Sequence, residues 1–189
     1  MKILSRTQCF ELIKTMDMMD HIIDHSVMVS NVTLFLCLQL KKKSSKINTE
    51  LATSAALLHD ITKTRSFSTK ESHSETGGRL LTEMGYPEIG SIIRQHVLLD
   101  SYVIDSPVSE PEIVNYSDKR VLHDKVVSLT ERLEYIRVRY GKNTEFKNRI
   151  RLMHQNTLNL ESKIFTYLDI EPDQLSSYVP NEIQRVNTL

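Results

Sequence analysis

Four histidines and two aspartates recur along this 189-residue chain in one order: His25, the doublet His59-Asp60, His73, His96 and Asp118. They fall in apolar segments that should pack together. Imidazoles and carboxylates with no cysteine among them make a nitrogen and oxygen donor set. Such a set suits a divalent transition metal (Fe, Mn, Ni, Co or Zn) rather than a thiolate site. An ion held in this way lowers the pKa of bound water from about 15.7 toward about 7, so the site would generate hydroxide at neutral pH. Nothing else in the chain pairs a covalent nucleophile with a matched base, so direct attack by water is the simpler chemistry.

Each residue alone has an ordinary reading. A single histidine on an apolar helix face is usually a hydrogen-bonded core residue. The doublet is less easily dismissed. It ends the apolar run Ala55-Ala56-Leu57-Leu58, and a carboxylate placed there must be paired, capped or coordinated, because burying an isolated charge is costly. Adjacent helical side chains diverge by about 100°, so His59 and Asp60 share a cation only if it sits off the helix end. Asp118 likewise follows the apolar-flanked Ile113-Val114-Asn115-Tyr116.

The elements that must position these residues read as helices throughout. A short helix runs from Phe10 to about Met18 and a very apolar one spans residues 21–40, ending in the solvated run Lys41 to Ser45. Asn48 is an N-cap for the helix holding Ala52, Ala55 and Leu58. Ser72 and Glu75 have capping-box spacing ahead of a helix to Met84, and Ser109 and Glu112 repeat it before the helix of Asp118. Gly85 closes one helix and Pro87 opens the next. Ile89, Ile92, Ile93 and His96 fall on one helical face. Val126, Val127, Leu129, Leu133 and Ile136 predict a helix ending near Gly141. A last one spans Glu145 to Leu168, with a stripe (Ile150, Met153, Leu158, Leu160, Ile164) that either caps the bundle or binds a second subunit as a homodimer. The tail from Glu171 onward reads as weakly structured. The class is all-α, a single-domain helical bundle.

Composition narrows the function classes. Lys+Arg and Asp+Glu both number 24, which leaves no electrostatic footprint for nucleic acid. Cys9 and Cys37 are too few for a disulfide framework, and a reducing cytoplasm fits. The N-terminus turns polar too early for a signal peptide. The stretch Val27 to Leu40 is broken by polar residues and is shorter than the roughly 20 apolar residues that a bilayer requires, so no membrane partner is expected.

The order His…His-Asp…Asp, with "LLHDITKTR", "HSETGGRLLTEMGYPEIGSIIRQHV" and "EIVNYSDKRVLHDKVVSL", resembles the HD superfamily of metal-dependent phosphohydrolases, in its small stand-alone HDIG-type branch. The resemblance covers residues 21–141, leaving an N-terminal helix in 1–20 and a C-terminal helical extension in 142–189. Thr62 stands where the HDIG signature has glycine. The resemblance implies that His25, His59, Asp60 and Asp118 hold a primary metal. His73 and His96 match the extra pair of two-metal members, in which the aspartate of the doublet bridges the ions. It also implies hydrolysis of a small phosphate ester or anhydride, a nucleotide above all, by metal-bound hydroxide. Gly85-Tyr86-Pro87 reads as a helix-to-helix turn, not as the signature of the cyclic-dinucleotide branch.

Around the ligands, Lys63 lies three residues past Asp60; it is either a surface lysine at a helix end, favoured there by the helix dipole, or, as the resemblance implies, binds a substrate phosphate and acts with Asp60 in catalysis. Lys119 and Arg120 flank Asp118 and would either bind phosphate or compensate the carboxylates. His21, four residues before His25, is either a support for that ligand or solvated. His123 and Asp124 are placed on a helix, where one would line the pocket. Glu131, Arg132, Glu134, Arg137 and Arg139 read as a solvated charged face. The alternatives to an enzyme are a metal- and nucleotide-binding regulatory module with little or no turnover, and a purely structural bundle whose polar residues pair internally.

Overall fold

The structure, a computed structural model, describes residues 1–43, 46–140 and 144–180. It is all-α apart from one two-stranded ribbon. Helix α1 (Arg6–Thr15) begins four residues before the point that the apolar pattern suggests. Ser5 is the reason: its hydroxyl accepts from the Gln8 backbone N–H and its own N–H donates to the Gln8 side chain, a reciprocal cap.

Helix α2 (Asp20–Lys42) is the spine of the bundle. At 23 residues it is longer than the stretch Val27 to Leu40, and it is long and apolar enough to cross a membrane by length and composition alone. Here most of its apolar residues are instead covered by protein: Val27, Met28, Val29, Val32 and Leu36 have no exposed surface, while Leu34 and Leu38 stay exposed, with α3 (Thr49–Leu58) and α7 (Glu110–Lys119) packed against it. The alanines Ala52, Ala55 and Ala56 of α3 are fully buried and let the two backbones approach. The Asn48 side chain caps α3 by accepting from Leu51 N–H at 3.0 Å.

After His59 the chain does not continue the helix. It turns through residues 59–62 and starts a short helix α4 (Lys63–Thr69) that ends on Lys70 in the left-handed region (φ +61°). Helices α5 (His73–Glu83) and α6 (Pro87–Arg94) then pack closely across Gly78 and Gly90. A Cβ on Gly78 would lie 2.7 Å from the Gly90 carbonyl oxygen, so the contact requires glycine. Gly85 (φ +88°) makes the turn between them. Ser72 does not form the expected capping box: its hydroxyl meets that of Ser74. Glu112, by contrast, accepts from both the N–H and the hydroxyl of Ser109.

Residues 121–126, expected to lead into a helix, form a tight antiparallel ribbon of β1 (Val121–Leu122) and β2 (Lys125–Val126), in register Val121 to Val126 and Leu122 to Lys125. His123 turns it with φ +56°. Helices α8 (Leu129–Tyr140) and α9 (Thr144–Phe165) follow; Gly141 lies outside the described residues. Leu160 and Ile164 of α9 are buried against the bundle, with α7 and α8 as neighbours. The segment after Glu171 is better ordered than its sequence suggests. A 3-10 turn (Pro172–Gln174) leads into α10 (Leu175–Tyr178), which buries Leu175 and, just beyond it, Val179; residues 181–189 lie outside the described range.

Candidate metal centre

The six residues named first meet at one point. His59 is the C-cap of α3 and His96 follows the last turn of α6. Helix ends leave carbonyls without an intrahelical partner, and both histidines use one. The Nδ1–H of His59 donates to Ala56 O at 2.7 Å, and that of His96 donates to Ile93 O at 2.7 Å. His25, in mid α2, donates its Nδ1–H to the carbonyl of His123 in the ribbon turn at 2.9 Å. A carbonyl can only accept, so all three rings carry their proton on Nδ1. Each therefore presents an Nε2 lone pair to the centre.

Of these lone pairs, that of His96 has a ring nitrogen of His73 at 3.1 Å, which donates to it in one tautomer, and the other two face carboxylates. His25 Nε2 faces Asp118 Oδ1 at 3.1 Å and His59 Nε2 faces Asp60 Oδ2 at 3.3 Å, so each pair needs a shared proton or a cation between its atoms. His59 Nε2 and Asp60 Oδ1 are fully buried and make no hydrogen bond. Buried polar atoms are nearly always satisfied. Converging unsatisfied acceptors of this kind are what a cation satisfies.

Asp60 divides its carboxylate. Oδ2 turns to His59, while Oδ1 lies 3.2 Å from His73 Nε2 and 3.7 Å from His96 Nε2. Two donor groups result, His25-His59-Asp60 and Asp60-His73-His96, each with its ligand atoms within 4.8 Å of one another. Asp118 Oδ1, 3.1 Å from His25 Nε2 and 3.7 Å from His59 Nε2, joins the first group. The donor set fits divalent transition metals, and Asp60 is the residue common to both groups.

The charges around the centre are deeply placed. Burial alone would raise the Asp60 carboxyl, but His59 and Lys63 hold it well below the ordinary value. Asp118 is likewise held down against burial by Lys119, His25 and Arg132. Burial, helped by His59, pushes His96 well below the usual histidine range and favours its neutral form.

The second set of residues divides. Lys63 opens α4 and still reaches back to Asp60 Oδ2, at 2.6 Å, with about a third of its side chain exposed (32 %). Lys119 is buried; its ammonium donates to the His96 carbonyl and lies 3.3 Å from Asp118 Oδ2, so it braces two ligands. Arg120 is not at the centre. Its fully buried guanidinium binds Tyr116 Oη, Glu161, Val127 O and Pro172 O. The reason is rotational: two residues past Asp118, it points about 200° away around α7. His21 is exposed. Thr62 is buried, and its hydroxyl donates to the His73 carbonyl at 2.8 Å, tying the start of α5 to the doublet.

Two contributors escaped sequence reasoning. His123 acts through its backbone carbonyl, which no side-chain pattern announces. Arg132 belongs to the inner face of α8, not to its solvated face: its side chain is 14 % exposed and Nη2 lies 3.8 Å from Asp118 Oδ1. That signal was present, since Arg132 falls three residues after Leu129 and four before Ile136, on the apolar stripe.

The HD domain family matches residues 22–136, more than half of the chain and a span holding all six residues of the centre. The chain belongs to the HD-domain family. HD domains are generally metal-dependent hydrolases and typically bind divalent metals, and the two His/Asp groups of this one could hold such ions. An uncharacterized protein of Methanocaldococcus jannaschii is 26 % identical over 154 residues, covering 75 % of this chain and 90 % of that protein. No solved structure gives a significant match. Helix α9 and α10 lie beyond the family match.

Proposed function

We propose that this HD-domain protein is a phosphohydrolase that cleaves an ester or anhydride bond of a small phosphorylated molecule, a nucleotide first among them, with water as nucleophile. The observation that carries the reading is the buried, unsatisfied pair His59 Nε2 and Asp60 Oδ1 at the point where the Nε2 atoms of His25, His73 and His96 and the Asp118 carboxylate converge. His25, His59, Asp60 and Asp118 would hold one ion, and Asp60, His73 and His96 a second. A bound divalent ion supplies Lewis acidity toward water and toward phosphoryl oxygens.

The chain's own residues do the rest. The Nδ1–H bonds of His25, His59 and His96 lock the ligand tautomers. Asp60 is the shared ligand, and Lys63, at hydrogen-bond distance from it, is placed to take a phosphoryl oxygen at the open side. Lys63 and His73 are the most exposed members of the cluster and mark its mouth. Lys119 is a brace for Asp118 and His96 more than a substrate contact. The buried free thiols of Cys9 and Cys37 support a cytoplasmic location.

Elemental analysis of purified protein, joined to phosphate release from a panel of nucleotides and other phosphate esters with added Mn or Fe, tests the proposal. Near-stoichiometric metal and metal-dependent turnover are expected. Full metal occupancy with tight ligand binding and no turnover on any ester would point to a regulatory module. Protein that takes up no metal would end the reading.

A further inference from the structure

Arg132 is a charged side chain with unused donors. A guanidinium offers five N–H groups, yet the buried Nε of Arg132 makes no hydrogen bond. Its ion pair with Asp118 Oδ1, at 3.8 Å, is too long for one. Arg132 adds to the field that holds Asp118 down, but Lys119 Nζ lies nearer to that carboxylate, at 3.3 Å, and His25 Nε2 at 3.1 Å.

The side chain is nevertheless held in place. It lies over the Tyr135 ring at 6.0 Å, Tyr135 packs edge-on against the His123 ring at 5.5 Å, and the His123 carbonyl holds His25. These contacts close a ring from Arg132 through the ribbon turn to a metal ligand and back through Asp118. Arg132 is also near enough to Lys63 and Lys119 to oppose their charge.

The charge balance indicates what is missing. Lys63, Lys119 and Arg132 outnumber Asp60 and Asp118 by one, and each divalent ion adds two more positive charges. A centre that is over-neutralised before substrate arrives fits a ligand with at least two negative charges better than a singly charged diester.

We propose that Arg132 is a substrate-binding residue that, with Lys63, grips the non-bridging oxygens of a terminal phosphate dianion, either a phosphomonoester or the end of a polyphosphate chain. This rests on the phosphohydrolase reading for its biological sense, but not for its test. Inorganic phosphate is titrated calorimetrically into manganese-loaded protein, wild type and variants. Arg132→Gln is expected to weaken phosphate binding at least tenfold, and Arg132→Lys to recover part of it, with metal content and Tm unchanged in both. Arg132→Gln should also raise KM for p-nitrophenyl phosphate more than for bis(p-nitrophenyl) phosphate, with a smaller change in kcat. Wild-type protein that binds no phosphate overturns the proposal. So does equal binding by Arg132→Gln, or loss of metal in parallel with phosphate, which would make Arg132 a support for Asp118 alone. If no ester is turned over and Arg132-dependent phosphate binding persists, the catalytic reading fails and this site stands.

Discussion

Lys163, on a helix beyond the HD match, places its ammonium 2.6 Å from the carboxylate of Glu112, in the first turn of the helix that carries Asp118. Both side chains are almost fully buried. The same ammonium donates to Val103 O at 2.8 Å and Ser106 Oγ at 3.0 Å. One cation thus joins α9, α7 and the loop between His96 and Glu110. Removing it leaves a buried carboxylate without its counter-charge, and Lys163→Met should lose about 3 to 5 kcal/mol in urea unfolding. Adding Glu112→Gln should recover part of that loss, because the uncompensated charge is then gone.

The division of the Asp60 carboxylate predicts metal stoichiometry. Asp60→Asn should empty both sites, whereas His73→Ala should remove one equivalent and spare the ion held by His25, His59 and Asp118. Elemental analysis of dialysed protein, with helicity checked by circular dichroism, measures this. Equal losses in the two variants would show that the groups do not bind independently.

Two glycines should behave differently. Gly78→Ala drives a Cβ to 2.7 Å from Gly90 O and 2.9 Å from Arg94 Cβ, and backbone cannot yield as a side-chain tip does. A destabilisation of about 1 to 3 kcal/mol is expected, with a drop in the metal equivalent held by His73 and His96. Gly85→Ala meets no atom within 4 Å and is strained only by its positive φ, so it should lose about 1 kcal/mol and keep its metal. Thermal unfolding with metal analysis separates the two.

Acid should weaken the metal-free protein early. Burial lowers His25, and burial with His59 holds His96 well below the ordinary 6.5. The folded state therefore binds fewer protons than the unfolded chain in that range, and stability rises with pH. The contribution is complete above about 6.5 and is lost as the pH falls below it. Asp60 and Asp118, held down despite burial by His59 and Lys63 and by Lys119 and His25 respectively, add a second loss below about 3.9. His59 acts in the opposite sense. Burial opposes its charge, but Asp60 and Asp118 raise it, so its contribution is lost as the pH rises. Urea midpoints in chelator from pH 8 to 5 should fall below pH 6.5, and added metal should steepen the fall, since protons and metal compete for the same nitrogens.

What the sequence by itself determined is the kind of site and the class of fold. His59-Asp60 at the end of an apolar helix, and His25, His96 and Asp118 on apolar stripes, are local patterns, and local pattern is enough to state which groups must be buried together. Asn48 at its cap and Pro87 at its helix start are local in the same way. The tertiary structure alone decided what those groups do. Which ring nitrogen carries the proton depends on Ala56 O, Ile93 O and His123 O, and the last of these is 98 residues from His25. Arg120 and Lys119 are neighbours in sequence, yet one is locked to Glu161 and the other braces His96, because helix rotation sends adjacent side chains apart. Arg132 turned inward because the packing of α8 buries its stripe. Ligand types are a property of residues; directions of lone pairs and charges are a property of the packing that brings distant residues together.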